Sequence, residues 1–149
     1  MKTLRFGSLL LALVFSSVAV FSQVTSIPAS AKENFAKQYP NAQNVKWDND
    51  VVNVNVRFDL DGQKMNAEYN NKGIWKSTIK ESTYETLPDA VKDGFKKSKY
   101  SDRTVADTRV IYYPGGVERY RLKVEKNDLQ KKYLFFNGEG RLVRDAITL

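Results

Sequence analysis

The sequence predicts an α+β protein, built as two tandem α-β-β-β-β repeats that form one curved antiparallel sheet with both helices on one face. Three observations carry the prediction. First, "IPASAKENFAKQYP" (Ile27 to Pro40) returns sixty residues later as "LPDAVKDGFKKSKY" (Leu87 to Tyr100), with Lys32/Lys92, Phe35/Phe95 and Lys37/Lys97 at the same offset. Second, each phrase is followed by runs in which apolar and polar residues alternate, the period of a half-buried strand. Third, the chain contains no cysteine, so no disulfide can hold an exported fold and its core must suffice.

The chain opens on Lys2 and Arg5, followed by "GSLLLALVFSSVAVFS", uncharged from Gly7 to Ser22. A basic stretch before an apolar run too short to span a bilayer comfortably reads as a signal peptide over residues 1–22, cut at Ser22/Gln23. Residues 23–149 then form a single domain, with repeat one over 26–80 and repeat two over 86–147. The expected location is periplasmic or secreted, with no membrane span after cleavage.

Each repeated phrase reads as a short amphipathic helix. Ile27, Ala31, Phe35 and Tyr39 recur every four residues, as do Leu87, Val91 and Phe95, which lines them along one helical face. Pro28 and Pro88 suit a first helical turn, where a missing N–H has no partner to lose. Thr86, and Ser26 or Thr25, are the expected N-caps, and Pro40 ends the first helix. Neither helix would be stable alone in water.

Strands follow. "NVKWD" gives a first strand that ends at Asp48-Asn49-Asp50. Val52, Val54, Val56 and Phe58 alternate up to Asp61-Gly62, a strong hairpin signal. The chain returns through Met65, Ala67 and Tyr69, and Asn70 to Gly73 turn it into "IWKSTI". The second repeat follows the same plan: "TVADTRVIYY", a turn at Pro114-Gly115-Gly116, "VERYRLKVEK", "QKKYLFFN", a turn at Asn137 to Gly140, and "RLVRDAI". The slight drift in offset calls for a longer first hairpin in repeat two and one extra residue near Leu129, as a bulge would supply. The expected core holds Phe35, Tyr39, Val52, Val54, Val56 and Phe58, then Phe95, Tyr120, Leu122, Val124, Leu134 and Phe136. The duplication has a physical purpose: one such unit buries little area and exposes two sheet edges, and joining two edge to edge enlarges the core and removes two of those edges.

Several function classes are excluded by composition. Histidine and cysteine are both absent, so Cys nucleophiles, Ser-His-Asp triads and His or Cys metal sites cannot exist. "DND" at 48–50 and "DLDG" at 59–62 resemble pieces of calcium loops but lack the later bidentate Glu, and turn chemistry explains both. No metal and no cofactor is expected. Without Lys2 and Arg5 the 24 Lys+Arg fall to 22, against 17 Asp+Glu, a net charge of +5. In an exported protein that excess points away from nucleic acid and toward anionic glycans, lipid headgroups or acidic proteins.

With export, duplication and helix-plus-four-strand units established, the chain resembles the PepSY-like, β-lactamase-inhibitor-like exported proteins common in Bacteroidetes. The resemblance rests on the Ile/Leu-Pro helix openings, the "F-x-K-x-Y-P-N-A" phrase at Phe35 to Ala42 with Val45 and Trp47 after it, and the "N-x-x-G" hairpin before Ile74-Trp75. It implies tandem repeats in one curved sheet with helices on the convex side, and no settled activity. A protein inhibitor of β-lactamase, the named relative, plugs an enzyme cleft with a concave face and an acidic hairpin tip. Asp59 and Asp61, with Gly62, sit at the matching turn here, although Asp-Gly is also what a tight hairpin needs for positive φ. The inhibitor has cysteines and this chain has none.

The residues expected to face away from the helices carry the binding candidates. Asn53, Asn55 and Arg57 alternate with the core residues in repeat one, and Arg119, Arg121 and Lys123 do so in repeat two. The second set is a cationic stripe about 13 Å long, at about 3.3 Å per residue. Beside it "YLFF", Tyr133 to Phe136, is apolar on both sides, so Tyr133 and Phe135 are either covered by the chain or form an exposed patch. Trp47 and Trp75 offer sugar platforms, but a Trp in a short strand is more often core. The reading is a non-catalytic binding module that engages an envelope or extracellular protein or peptide, an acidic one included, through Arg119, Arg121, Lys123, Tyr133 and Phe135. The alternative is a charge-driven binder of acidic glycan or lipid headgroups. A carboxylate-dependent hydrolase is a third reading, which needs a cleft with two carboxylates of raised pKa.

Overall fold

The computed structural model describes residues 26–50, 52–127 and 130–148. The expected signal peptide and the expected bulge near Leu129 lie outside them. The described chain forms two helices and one open sheet of eight antiparallel strands in the order β1-β2-β3-β4-β5-β6-β7-β8. Helix α1 (Ala29–Gln38) precedes β1 (Gln43–Asn49), β2 (Asn53–Leu60), β3 (Gln63–Asn70) and β4 (Trp75–Ser82). Helix α2 (Asp89–Lys96) precedes β5 (Thr104–Tyr113), β6 (Val117–Glu125), β7 (Lys131–Phe136) and β8 (Leu142–Ile147). β4 pairs with β5 from Thr78↔Tyr112 to Ser82↔Thr108, so the strands before and after α2 share one ladder.

Two apolar clusters hold the helices down. Ala31 and Phe35 of α1 pack with Val54, Val56, Phe58, Ala67 and Tyr69. Val91 and Phe95 of α2 pack with Leu87, Tyr100, Val110, Tyr120, Leu122, Val124, Leu134 and Phe136. Phe35 meets Trp47 and Phe58 edge-on, with centroids 5.2 and 5.0 Å away, so Trp47 belongs to the core. Trp75 joins the same cluster and donates from Nε1 to Thr78 Oγ1 at 2.9 Å. Tyr39 is only partly buried, its hydroxyl 2.6 Å from Thr78 Oγ1.

The turns follow their residue chemistry. Asp61 and Gly62 both adopt positive φ, +52° and +75°, as a two-residue hairpin of this hand requires. Asn70 Oδ1 accepts from the amides of Lys72 and Ile74, and Asn137 Oδ1 accepts from that of Arg141, so each Asn-x-x-Gly turn is tied by its own asparagine. Each of these turns also touches a helix. A Cβ at Gly73 would lie 2.7 Å from the Ala31 nitrogen, and one at Gly140 would lie 2.6 Å from the Ala90 carbonyl carbon.

Three expectations need correction. Val52 is 67% exposed and outside the core, because β2 begins at Asn53 and the chain is still turning from Asp50, whose amide donates to Asn53 O. Thr86 does not cap α2: its hydroxyl donates to Thr83 O, and Pro88 occupies the cap position without a side-chain bond. Ser26 does not cap α1 either, since Pro28 holds that position in the same way; Thr25 lies outside the described residues.

Candidate functional site

β6 determines which side chains face away from α2. Tyr120, Leu122 and Val124 are buried in the cluster beneath α2, so the alternate residues Arg119, Arg121 and Lys123 stand on the other face. The register completes a polar surface there: Arg109↔Arg121↔Phe135↔Arg144 form one row, and Lys123↔Tyr133↔Ala146 the next. The expected site residues Arg121, Lys123, Tyr133 and Phe135 are therefore neighbours on one surface, with Arg119 one row along.

The stripe is not a row of free cations. Asp107 Oδ2 accepts from Arg121 at 3.3 Å and from Arg109 at 3.1 Å, bridging two guanidiniums that stand opposite each other. Lys123 lies 3.4 Å from Glu125. Arg119 donates to the neighbouring Glu118 carbonyl at 2.8 Å. Tyr133 and Phe135 are half-buried, because arginines lie over their rings: Arg121 is 4.7 Å from the Tyr133 centroid and Arg144 is 4.3 Å from that of Phe135. Cation–π contact of this kind holds a guanidinium flat against the ring.

A second feature of the open side went unforeseen. In front of β1 to β5 lies a hollow of about 650 Å³ lined by Lys46, Arg57, Lys64, Arg109, Asp59 and Glu81 among others. Its cations come from four different strands, so no single run of sequence displays them. The signal was still present: once Asp61-Gly62 fixes the β2–β3 register, Asp59 falls opposite Lys64 and Arg57 opposite Asn66. Asp59 is engaged at the edge of this hollow, accepting from Asn44 Nδ2 at 2.7 Å. Asp61 stays exposed at the hairpin tip, where turn geometry accounts for it.

Acid–base chemistry finds little support. The carboxylates displaced from their ordinary pKa are all displaced downward: Glu33 by Lys37, Asp89 by Lys92, Asp102 by Lys126, and Asp145 by Tyr100 and then Lys132. Among the phenols, burial and then the bond to Glu118 push Tyr120 up to about 12, which keeps it neutral. No group of three or more Asp or Glu among the described residues could hold a metal ion.

The class these features define is an α+β protein with two helices and one open sheet of eight antiparallel strands. Within that class, the chain belongs to the family described as "Putative beta-lactamase-inhibitor-like, PepSY-like", whose model matches residues 53–144. Solved structures agree. A BLIP-like protein from Bacteroides fragilis is 25% identical, with a TM-score of 0.76 over 83% of this chain and 87% of its own. A DUF2874 family protein from Bacteroides ovatus is 24% identical, with a TM-score of 0.76 over 82% of this chain and 88% of its own. A protein from Bacteroides eggerthii described as "putative periplasmic" is 22% identical, with a TM-score of 0.73 over 82% and 89%. No curated protein matches the chain.

Proposed function

We propose that this protein is an exported, non-catalytic binding module that engages an envelope or extracellular protein or peptide through Arg119, Arg121, Lys123, Tyr133 and Phe135. The observation that carries this reading is the pair of half-buried aromatics under guanidiniums, Tyr133 with Arg121 and Phe135 with Arg144. Tyrosine, phenylalanine and arginine in one patch are the residues protein interfaces favour. The family's inhibitor-type name and the B. fragilis BLIP-like neighbour support a binding role, and the B. eggerthii neighbour supports a periplasmic or secreted location. No helix among the described residues is long and apolar enough to cross a membrane.

Glycan or lipid-headgroup binding driven by charge alone fits less well, because Arg121 and Lys123 already spend their charge on Asp107 and Glu125. Affinity capture from the envelope fraction tests the proposal. The parent should retain a partner that Tyr133→Ser/Phe135→Ser loses, and the retention should survive salt that screens exposed charges. Equal recovery by both proteins, or loss of all retention in about 0.5 M salt, where the Debye length is only a few Å, refutes it.

A further inference from the structure

Two pairs of cations on the open face stand directly opposite each other across neighbouring strands. Arg109 and Arg121 face each other on β5 and β6, where Asp107 accepts from both and Glu81 stands 3.8 Å from Arg109, two carboxylates against two guanidiniums. Lys46 and Arg57 face each other on β1 and β2. Among the described residues, no carboxylate lies within ion-pair distance of either, nor of Lys64 on β3. Like charges directly opposite destabilise a sheet. The first pair is settled inside the chain. The second is left facing the hollow.

The geometry points to this hollow as a binding site for the acidic side chains of an extended peptide segment, a reading that rests on the open face being the binding surface. Its size, about 650 Å³, is that of a ligand site. With Arg109 paired to Asp107 and Glu81, the hollow keeps three cations, Lys46, Arg57 and Lys64, against one carboxylate, Asp59, and this excess of two charges suits two incoming carboxylates. Spread over β1, β2 and β3, Lys46, Arg57 and Lys64 match two separated carboxylates better than one compact phosphate. Ile79, register partner of Asn66, lines the hollow beside it and offers an apolar contact for the methylenes of a glutamate side chain. From Lys46 on β1 to Lys64 on β3 is two strand spacings, about 10 Å at about 4.8 Å each, before the offset along the strands is added. A free dicarboxylate is too short to meet both ends, and an extended peptide is not. The register row of Asn66 and Ile79 continues through Ile111 to Arg119, on the strand that also carries Arg121.

The test is an NMR titration of the 15N-labelled protein with three probes: a hexapeptide carrying Glu at its second and fifth positions, its Gln counterpart, and free glutarate. The Glu peptide should shift the amides around Lys46, Arg57 and Lys64. Arg57→Gln should weaken it about 10-fold or more, the Gln peptide should bind about 10-fold or more weakly, and glutarate should bind more weakly still. Equal affinity for the Gln peptide, no loss in Arg57→Gln, no binding of the Glu peptide, or glutarate matching it would each overturn the assignment. Without any ligand, Arg57→Gln should raise the melting midpoint by about 1–4 °C, because it removes the unneutralised opposition; an unchanged or lower midpoint removes the premise. The two readings fail separately. Retention that needs Tyr133 and Phe135 with no Glu-peptide shifts removes the hollow alone, while shifts at Arg57 that persist in Arg119→Ser/Arg121→Ser, with no retained partner, remove the aromatic patch alone.

Discussion

Gly140 and Gly115 share a backbone conformation but not an environment, and the difference can be measured. Their φ angles are +79° and +80°. An alanine at either pays for a left-handed conformation, about 1–2 kcal/mol. At Gly115 that is the whole cost, since an added Cβ would meet nothing within 4 Å. At Gly140 the Cβ would come 2.6 Å from the Ala90 carbonyl carbon and 3.4 Å from the Val91 nitrogen, and both atoms are helix backbone that cannot rotate aside. The hairpin must then draw away from α2, loosening Val91, which is fully buried, and Leu87 beside it. Forcing an extra methyl into a packed contact costs about 1–3 kcal/mol more, for a total of roughly 2–5 kcal/mol. At about 4 °C per kcal/mol for a domain this size, Gly115→Ala should melt about 4–8 °C below the parent, and Gly140→Ala about 4–12 °C lower again. Gly73→Ala, whose Cβ would meet the Ala31 nitrogen at 2.7 Å, should behave like Gly140→Ala. Urea titrations followed by far-UV circular dichroism give the same comparison as free energies, provided the slopes agree. Equal losses at Gly115 and Gly140 would refute the close packing of hairpin on helix.

Phe35→Ala and Phe95→Ala should each cost about 3–5 kcal/mol in such titrations. Phe35 should cost the more, since its ring meets Tyr39, Trp47 and Phe58, whereas that of Phe95 meets Tyr84 at 6.0 Å; melts of both variants within error of the parent would refute the core assignment. At the acid end, the Tyr100 hydroxyl and then Lys132 hold the Asp145 carboxyl below its ordinary value. A depressed folded pKa adds stability above the unfolded pKa, near 3.9, and loses it as pH falls through the folded one. The difference in melting midpoint between the parent and Tyr100→Phe should therefore be full at pH 6 and shrink below about pH 4, and a difference constant from pH 6 to pH 2 would count against this pairing.

Much of this architecture could be read from residue order, for reasons that differ by element. The two helices were legible because apolar residues at four-residue spacing bury one stripe, and Ala31, Phe35, Val91 and Phe95 are the residues buried. The hairpins at Asp61-Gly62 and at the two Asn-x-x-Gly turns were legible because few residues tolerate positive φ. Val52 misled because alternation does not state where a strand stops: the same apolar residue serves equally as the last of a ladder or the tip of a turn. Thr86 misled because a hydroxyl near a helix start can bond backward as readily as forward, and here it bonds to Thr83.

The candidate site was half legible, and the missing half concerns pairing rather than position. Alternation placed Arg119, Arg121 and Lys123 on one side of β6, and the structure keeps them there. Whether such a row is a charged surface depends on what stands beside it on the neighbouring strand, and nothing in "VERYRLKVEK" announces that Asp107 lies between Arg109 and Arg121. The converse holds at the hollow. Lys46, Arg57 and Lys64 look dispersed along the chain, and only the β1–β2 and β2–β3 registers bring them together, with Asp59 among them but no carboxylate of the described residues within ion-pair distance. Counting cations by strand therefore misses the pairing: Arg121 and Lys123 of the dense stripe lie against Asp107 and Glu125, while the scattered set has no ion pair among the described residues. What the stripe retains is flat guanidinium over aromatic, suited to a contact surface more than to a Coulombic one.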